Sequence, residues 1–230
     1  MTELAGLTSP EVGELAAAGA LLAVPVAATE QHGPHLPLCT DTDLAVALCA
    51  RLAAARPGVL VAPPLAYGGS GEHEDFPGTL SIGTEVVELL LVELGRSATL
   101  TFSRVLLVST HGGNTDAVRR AERRLRAESR DVRAWLPAWD GDAHAGRAET
   151  SLELALAPNR VRLGRAEAGN TRPLTELMPG LRRSGVRAVS PNGVLGDPAG
   201  ASAAEGAALL ARLGAELLTA VDAWEAGQMS

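Results

Sequence analysis

Apolar runs and polar, turn-forming stretches alternate along the chain in the rhythm of β–α units. Residues 21–28 (LLAVPVAA) are unbroken apolar sequence, the pattern of a strand buried on both faces. Pro25 within that run lacks an amide donor and argues against a central position, or marks a bulge. Shorter apolar runs at 59–62, 104–109 and 132–136 predict three more strands. Helical spacing fills the gaps. Ser9 is placed to cap a first helix with Pro10 at its first position, running to about Gly19. Further helices are predicted over 43–55, 84–100 from a cap at Thr84, and an Arg-rich segment capped by Asn114. A short helix over 151–157 stops at Pro158, and the capping box Ser202-Ala203-Ala204-Glu205 opens a last helix to about Glu225. Two stretches break the rhythm. The Gly-rich segment 65–80 is long enough to be a functional loop, and 172–198, with four prolines, reads as an irregular layer over a site. The alternation predicts an α/β fold, a three-layer α/β/α sandwich on a mostly parallel sheet, in one domain spanning 1–230.

Composition narrows the function. Hydrophobic residues make up 46% of the chain but aromatics only 3%, so Leu, Val and Ala must fill the core. A net charge of −7 argues against nucleic acid as the main partner, since phosphate binding needs a basic face. The arginines between Arg119 and Arg133 alternate with Glu122, Glu128 and Asp131 at helical spacing, the pattern of a solvated helix face. Two cysteines, Cys39 and Cys49, are too few for a disulfide framework. No signal peptide and no membrane-spanning segment is expected, which points to the cytoplasm.

The chemistry concentrates where strands end. Glu30 and His32 follow the first strand; in extended chain, side chains two apart share a face, presenting a carboxylate and an imidazole together. That pairing suits a borderline divalent metal. Asp41, at the entrance to the next helix, is a helix cap or a ligand on spacing alone. His111, past the third strand, is a hydrogen-bonded loop histidine or a ligand at the carboxyl end of the sheet. Gly112-Gly113 is a simple turn, or it exposes N–H groups to an oxyanion or substrate carboxylate. Glu149 sits near a helix start, where a dipole role accounts for a carboxylate but not for His144 shortly before it. His32, His35, His73, His111 and His144 are all the histidines, and every one is in a loop or at a strand end near Gly or an acid. Such a distribution favours a site, with His73 as a candidate substrate contact.

These residues carry a resemblance. Glu30-Gln31-His32-Gly33-Pro34-His35-Leu36-Pro37, Thr40-Asp41, Phe76-Pro77-Gly78-Thr79, His111-Gly112-Gly113-Asn114 and Glu149-Thr150-Ser151 are similar, in order, to the creatininase family of metal-dependent amidohydrolases. The resemblance implies a creatininase-like fold, a closed homo-oligomer and two divalent metal ions per chain. It implies Glu30, Asp41 and His111 on one ion and His32, Asp41 and Glu149 on the other, with Asp41 bridging and His144 as the catalytic histidine. Three carboxylates offset three of the four positive charges, and a hydroxide, available near neutral pH at such a site, offsets the last. Mixed imidazole and carboxylate donors suit Zn, Fe(II) or Mn equally. Creatinine-cleaving members carry Tyr-Glu in place of Gly112-Gly113 and a tryptophan in place of Asp140, beside Trp139, so creatinine is a poor substrate candidate. Gly69-Ser70-Gly71-Glu72-His73, 78–85, Ala168-Gly169-Asn170 and 193–198 resemble instead the mycofactocin-system branch of the family. That likeness implies hydrolysis of a modified precursor peptide to release its C-terminal Val-Tyr-derived fragment. A small-amide hydrolase, acting on a formamide or lactam, and a non-catalytic peptide-binding subunit are the competing readings. An open groove beside 67–76 and 172–194 favours the peptide; a closed pocket favours the small amide.

Overall fold

A computed structural model of the chain describes residues 2–138 and 141–227. Among them, one parallel sheet is built from β1 (Thr2–Glu3), β2 (Leu21–Val26), β3 (Val59–Val61), β4 (Arg104–Ser109) and β5 (Val132–Trp135), in the order β1-β3-β2-β4-β5. The helices are α1 (Ser9–Ala17), α2 (Thr40–Ala55), α3 (Thr84–Ala98), α4 (Thr115–Ala127), α5 (Arg147–Leu156), α6 (Leu174–Val189) and α7 (Ala203–Glu225). Every residue of β2 is buried, and its side chains serve both faces. Leu22, Val24 and Val26 pack with α1, α3 and α4, while Leu21 and Ala23 pack with α2, α5 and α7. This is the three-layer α/β/α sandwich the apolar pattern predicts. None of the described helices is long and apolar enough to cross a membrane.

Pro25 lies in the central strand, which rules out the first of its two readings, but between Ala23↔Val61 and Val26↔Leu65 the β3 side carries one extra residue, as a bulge does. The last pair of β2 with β3 is Ala23↔Val61, so Pro25 comes after β3 has ended. Its carbonyl still accepts from Leu65 N–H at 2.9 Å, and the missing N–H leaves no β3 ladder bond unmade.

Helix starts differ from the local signals, and each difference has a physical cause. The capping side chain of α1 is Thr8, paired with Glu11, rather than Ser9. The N-cap position of α3 is Gly83 rather than Thr84. Helix α2 starts three residues early because Thr40 N–H and Oγ1–H both reach the Pro37 carbonyl, at 3.3 and 2.8 Å. Helix α5 starts four residues early because Asp142 Oδ2 accepts Arg147 N–H at 2.7 Å. Asp41 and Glu149 therefore both fall in the first turn of a helix. Asn114 precedes α4 without a side-chain capping bond, since its amide is used elsewhere. The acidic Glu122 of α4 is buried, not solvated, and accepts Ala134 N–H at 3.1 Å, fixing the helix to β5.

The largest correction concerns 172–198, which holds the sixteen-residue α6. Pro179 and a break at Gly185 (φ 70°) mask it in the sequence. Tertiary packing holds it: Leu177 and Val186 bury against Phe76 and Leu195, and the Arg187 guanidinium sits 4.5 Å above the Phe76 ring.

Helices α5 and α7 meet backbone to backbone. Glu205 N–H caps onto Ser202 Oγ at 3.2 Å, but the Glu205 carboxylate turns away to Arg147 and Ser151 on α5. A Cβ added at Gly206 would lie 1.8 Å from the Ser151 carbonyl oxygen, an atom that cannot rotate aside. Gly206→Ala is expected to destabilise the fold by about 1–3 kcal/mol or more through overpacking, read as a lower denaturation midpoint. Gly214→Ala, whose Cβ would make only ordinary contact 3.4 Å from a flexible Arg51 side chain, serves as the control.

Candidate metal centre

The sheet order places β2 between β3 and β4, so the chain switches sides at β2. Open α/β sheets bind ligands at such a point, beyond the carboxyl ends of the strands. Glu30 lies four residues past the end of β2 and His111 two past the end of β4. Glu30, Gln31 and His32 thus lie beyond the strand, and all three side chains are buried. Gly33 makes the turn at φ 66°, and a Cβ there would stand 2.6 Å from the Val194 side chain.

Asp41, in the first turn of α2, does not cap it. Its Oδ1 lies 3.6 Å from His32 Nε2 and its Oδ2 lies 3.4 Å from His111 Nδ1, so it sits between the two imidazoles. Thr110 Oγ1 donates to the Asp41 carbonyl at 2.8 Å and locks the end of β4 onto α2. His111 Nε2 lies 3.3 Å from Glu30 Oε2. Asn114 donates to the Ala27 carbonyl and accepts from Gly69 N–H, joining the end of β2 to the 68–70 loop. Ala145, at φ 52°, reverses the chain after His144, and its N–H donates to Glu149 Oε2 at 2.5 Å. That reversal brings His144 and Glu149 to one place.

Three sets of donors result, each with one atom per residue within 4.8 Å of the others. They are Glu30, Asp41 and His111; His32, His144 and Glu149; and Glu30, His73 and His144. The first is the trio expected from sequence for one ion. In the second, His144 joins His32 and Glu149, with Asp41 Oδ1 facing the same His32 nitrogen.

The electrostatics fit a cation. Glu30 Oε1 and Oε2, His32 Nε2 and Asp41 Oδ2 are buried without a hydrogen-bond partner. Leaving such atoms unpaired costs on the order of 1–3 kcal/mol each, more when charged. Burial pushes the Glu30 carboxyl up to about 7 and raises that of Glu149. Burial also opposes charge on His32 and on Asp41. Asp41 and, less strongly, Glu149 and Glu30 nevertheless lift His32 to about 10, and His32 and His111 hold Asp41 below the usual carboxylate range. Burial keeps His73 neutral, lowered to about 3, and holds His144 well below the ordinary histidine value. Convergent donors on two buried acids and a half-buried one, several of them unpartnered, suit a cation, and imidazole plus carboxylate is a suitable set for divalent ones.

Other expected residues fall around this centre. His35 is outside the donor sets; its Nε2 shares a 2.8 Å hydrogen bond with Thr150 Oγ1 and so ties the turn to α5. Gly112 and Gly113 form a short 3-10 turn before α4. His73 is buried with Nε2 3.5 Å from Glu30 Oε1. Trp139 and Asp140 lie outside the described residues. Sequence reasoning missed Gln31, whose amide reaches both His73 and His144, and Glu72, whose Oε1 would lie 2.7 Å from a Cβ built on Gly113. Only their neighbours in the chain marked them.

The centre is the floor of a cavity of about 860 Å³. Glu72, Asp75 and Leu174, Met178 and Leu181 of α6 line it together with Glu30, His111 and His144. Both segments singled out by sequence thus contribute to one cavity.

The chain matches the creatininase family model, described as creatinine amidohydrolase, over residues 5–221. It is 49% identical over 214 residues to the mycofactocin precursor peptide peptidase of Mycobacterium ulcerans, covering 89% of this chain and 85% of the relative. It is 52% identical over 200 residues to the protein of the same name from Mycolicibacterium smegmatis, covering 84% and 81%. A solved manganese creatininase superposes with a TM-score of 0.77 at 27% identity, covering 96% of this chain and 97% of that one.

The two glycines separate by test. A methyl on Gly113 would press on Gly69 O, His111 Nε2 and Glu72 Oε1 at 2.3, 2.5 and 2.7 Å, whereas one on Gly112 meets nothing within 4 Å. Gly113→Ala is expected to weaken zinc or manganese binding by about 10- to 100-fold, the range for disturbed support of a metal-binding histidine, with Gly112→Ala unchanged. Calorimetric titration measures both; equal affinities would refute the displaced-histidine account.

Proposed function

The chain belongs to the creatininase family, and from that premise we propose that it hydrolyses a modified mycofactocin precursor peptide, releasing its C-terminal Val-Tyr-derived fragment. The observation that carries this reading is identity of about one half, across more than four-fifths of the chain, to relatives named for that peptide. The cavity supports it, since about 860 Å³ walled by α6 suits a peptide segment and far exceeds a formamide or lactam.

In this reading the chain is one catalytic domain. Glu30, Asp41 and His111 hold one divalent ion and His32, Asp41 and Glu149 a second, with Asp41 shared. Zinc, Fe(II) and manganese all suit these donors. Bound there, such ions supply Lewis acidity toward the amide carbonyl and make water acidic enough to ionise near neutral pH. The protein's part is proton transfer and placement. His144, neutral in its buried position, accepts the proton of the attacking water at Nδ1 and returns it to the departing amine nitrogen as the carbon–nitrogen bond breaks. Gly112 and Gly113 offer backbone N–H groups to the peptide, and His73 lines the same wall. Free Cys39 and Cys49 suit a reducing cytoplasm. Val86, Leu89 and Leu90 are exposed at i, i+3 and i+4 on α3, an apolar face that supports a homo-oligomer.

Metal-loaded protein incubated with the modified precursor peptide is expected to yield the C-terminal fragment by mass spectrometry. Turnover of formamides or lactams with an intact peptide would overturn the peptide assignment. Metal analysis should return about two divalent ions per chain. Asp41→Ala should lose both, and a variant that keeps both would refute the shared ligand. His144→Ala should keep its metal and slow turnover by about 10²- to 10⁴-fold. An unchanged rate removes His144 from proton transfer.

A further inference from the structure

Gln31 stands between two histidines of the centre and belongs to none of the three donor sets. Its amide orientation is fixed by two backbone groups of unambiguous polarity. Gly33 N–H can only donate, and it lies 2.8 Å from Oε1. The Gly193 carbonyl can only accept, and it lies 3.0 Å from Nε2. The amide cannot be turned over without setting donor on donor and acceptor on acceptor. Gly193 can approach because it has no side chain: at φ 82°, its Cβ would lie 2.0 Å from Gln31 Oε1.

The orientation has consequences for both rings. One amide hydrogen serves the Gly193 carbonyl. The other faces His73 Nδ1 at 2.8 Å, so that nitrogen must accept. The proton of His73 is therefore on Nε2, which points at Glu30 Oε1. His144 Nε2 is 3.1 Å from the same amide nitrogen, but only 2.8 Å from the main-chain carbonyl of Gln31, which can only accept. His144 thus carries its proton on Nε2 and donates it to that carbonyl. Its Nδ1, 3.7 Å from Glu30 Oε1, is left with a free lone pair. The ring is also held from behind, because His144 and Leu195 exchange main-chain hydrogen bonds at 2.9 and 3.2 Å in the loop that Gln31 latches through Gly193.

We propose that Gln31 is a positioning residue that sets the tautomers of two histidines, His73 through its side-chain amide and His144 through its main-chain carbonyl, so that His144 presents a bare Nδ1 to the reaction. The effect on rate rests on the peptide-hydrolase reading above; the tautomers do not.

The test uses the full chain, labelled with ¹⁵N-histidine and with zinc added. Long-range ¹H–¹⁵N spectra report which nitrogen of each ring carries the proton, and His73→Gln and His144→Gln assign the signals. Wild type is expected to show both rings protonated on Nε2. Gln31→Glu, which can only accept, should move the His73 proton to Nδ1. Gln31→Met, of similar length without a donor, should give His73 as a mixture of tautomers. Both variants should keep their metal and lose about 10- to 100-fold in kcat with a smaller change in KM. A wild-type spectrum with either ring protonated on Nδ1 overturns the proposal, even if the variants fail to fold. So does an unchanged His73 signal in both variants. Failure of wild type to cleave the peptide refutes the peptide reading, while the spectra still decide the tautomers.

Discussion

Two carboxylates, Glu30 and Asp41, are withdrawn from water at the end of one parallel sheet, and a third, Glu149, is partly so. Taking an ionised carboxylate into a protein interior costs several kcal/mol unless opposite charge and hydrogen bonds offset it. The chain meets this in two ways. Asp41 and Glu149 each occupy the first turn of a helix, where the free N–H groups and the dipole favour negative charge. Glu30 has no helix, only imidazoles, and burial pushes it up to about 7. His32, facing Asp41, takes up the opposite tendency and rises to about 10. A donor set in which Glu30 and Glu149 are pushed toward neutrality and His32 toward charge is one that divalent cations would relieve.

That constraint explains the features around the centre that the sandwich alone does not require. Asn114 gives up capping α4 to bind the end of β2 and the 68–70 loop. Thr110 ties β4 to the main chain of Asp41, and His35 ties the Glu30 turn to Thr150 on α5. Asp142 caps α5 from five residues upstream and so sets where Glu149 begins its turn. Each bond steadies a segment that carries or adjoins a candidate donor. The donors therefore hold their places while lying on turns, where side chains are otherwise least constrained.

Much of this was legible in the sequence where one local property decides the outcome. Residues 21–28 read as a doubly buried strand because nothing polar interrupts them, and the five histidines stood out because each lay beyond a strand or beside Gly and acid. The rest depended on distant partners. The start of α5 needs Asp142, and α6 needs Phe76 and Leu195 to outweigh Pro179 and Gly185. The strand itself ends at Val26, short of Glu30 and His32. Gly33 N–H and the Gly193 carbonyl fix the Gln31 amide beside the histidines, and that pairing has no local signal in the sequence.

The same reasoning bears on why this floor suits a peptide. Gly112 and Gly113 set no side chains beside His111. Their absence leaves the approach to His111 open, and Gly113 cannot regain even a methyl, because Gly69 O and His111 Nε2 already occupy the space. A carboxylate does stand beside Gly113, that of Glu72, whose main chain abuts Gly185 of α6. Glu72 lines the same cavity as the candidate donors Glu30, His111 and His144. The apolar stripe Leu174, Met178 and Leu181 then faces that volume at helical spacing, offering a long surface rather than a small enclosed one.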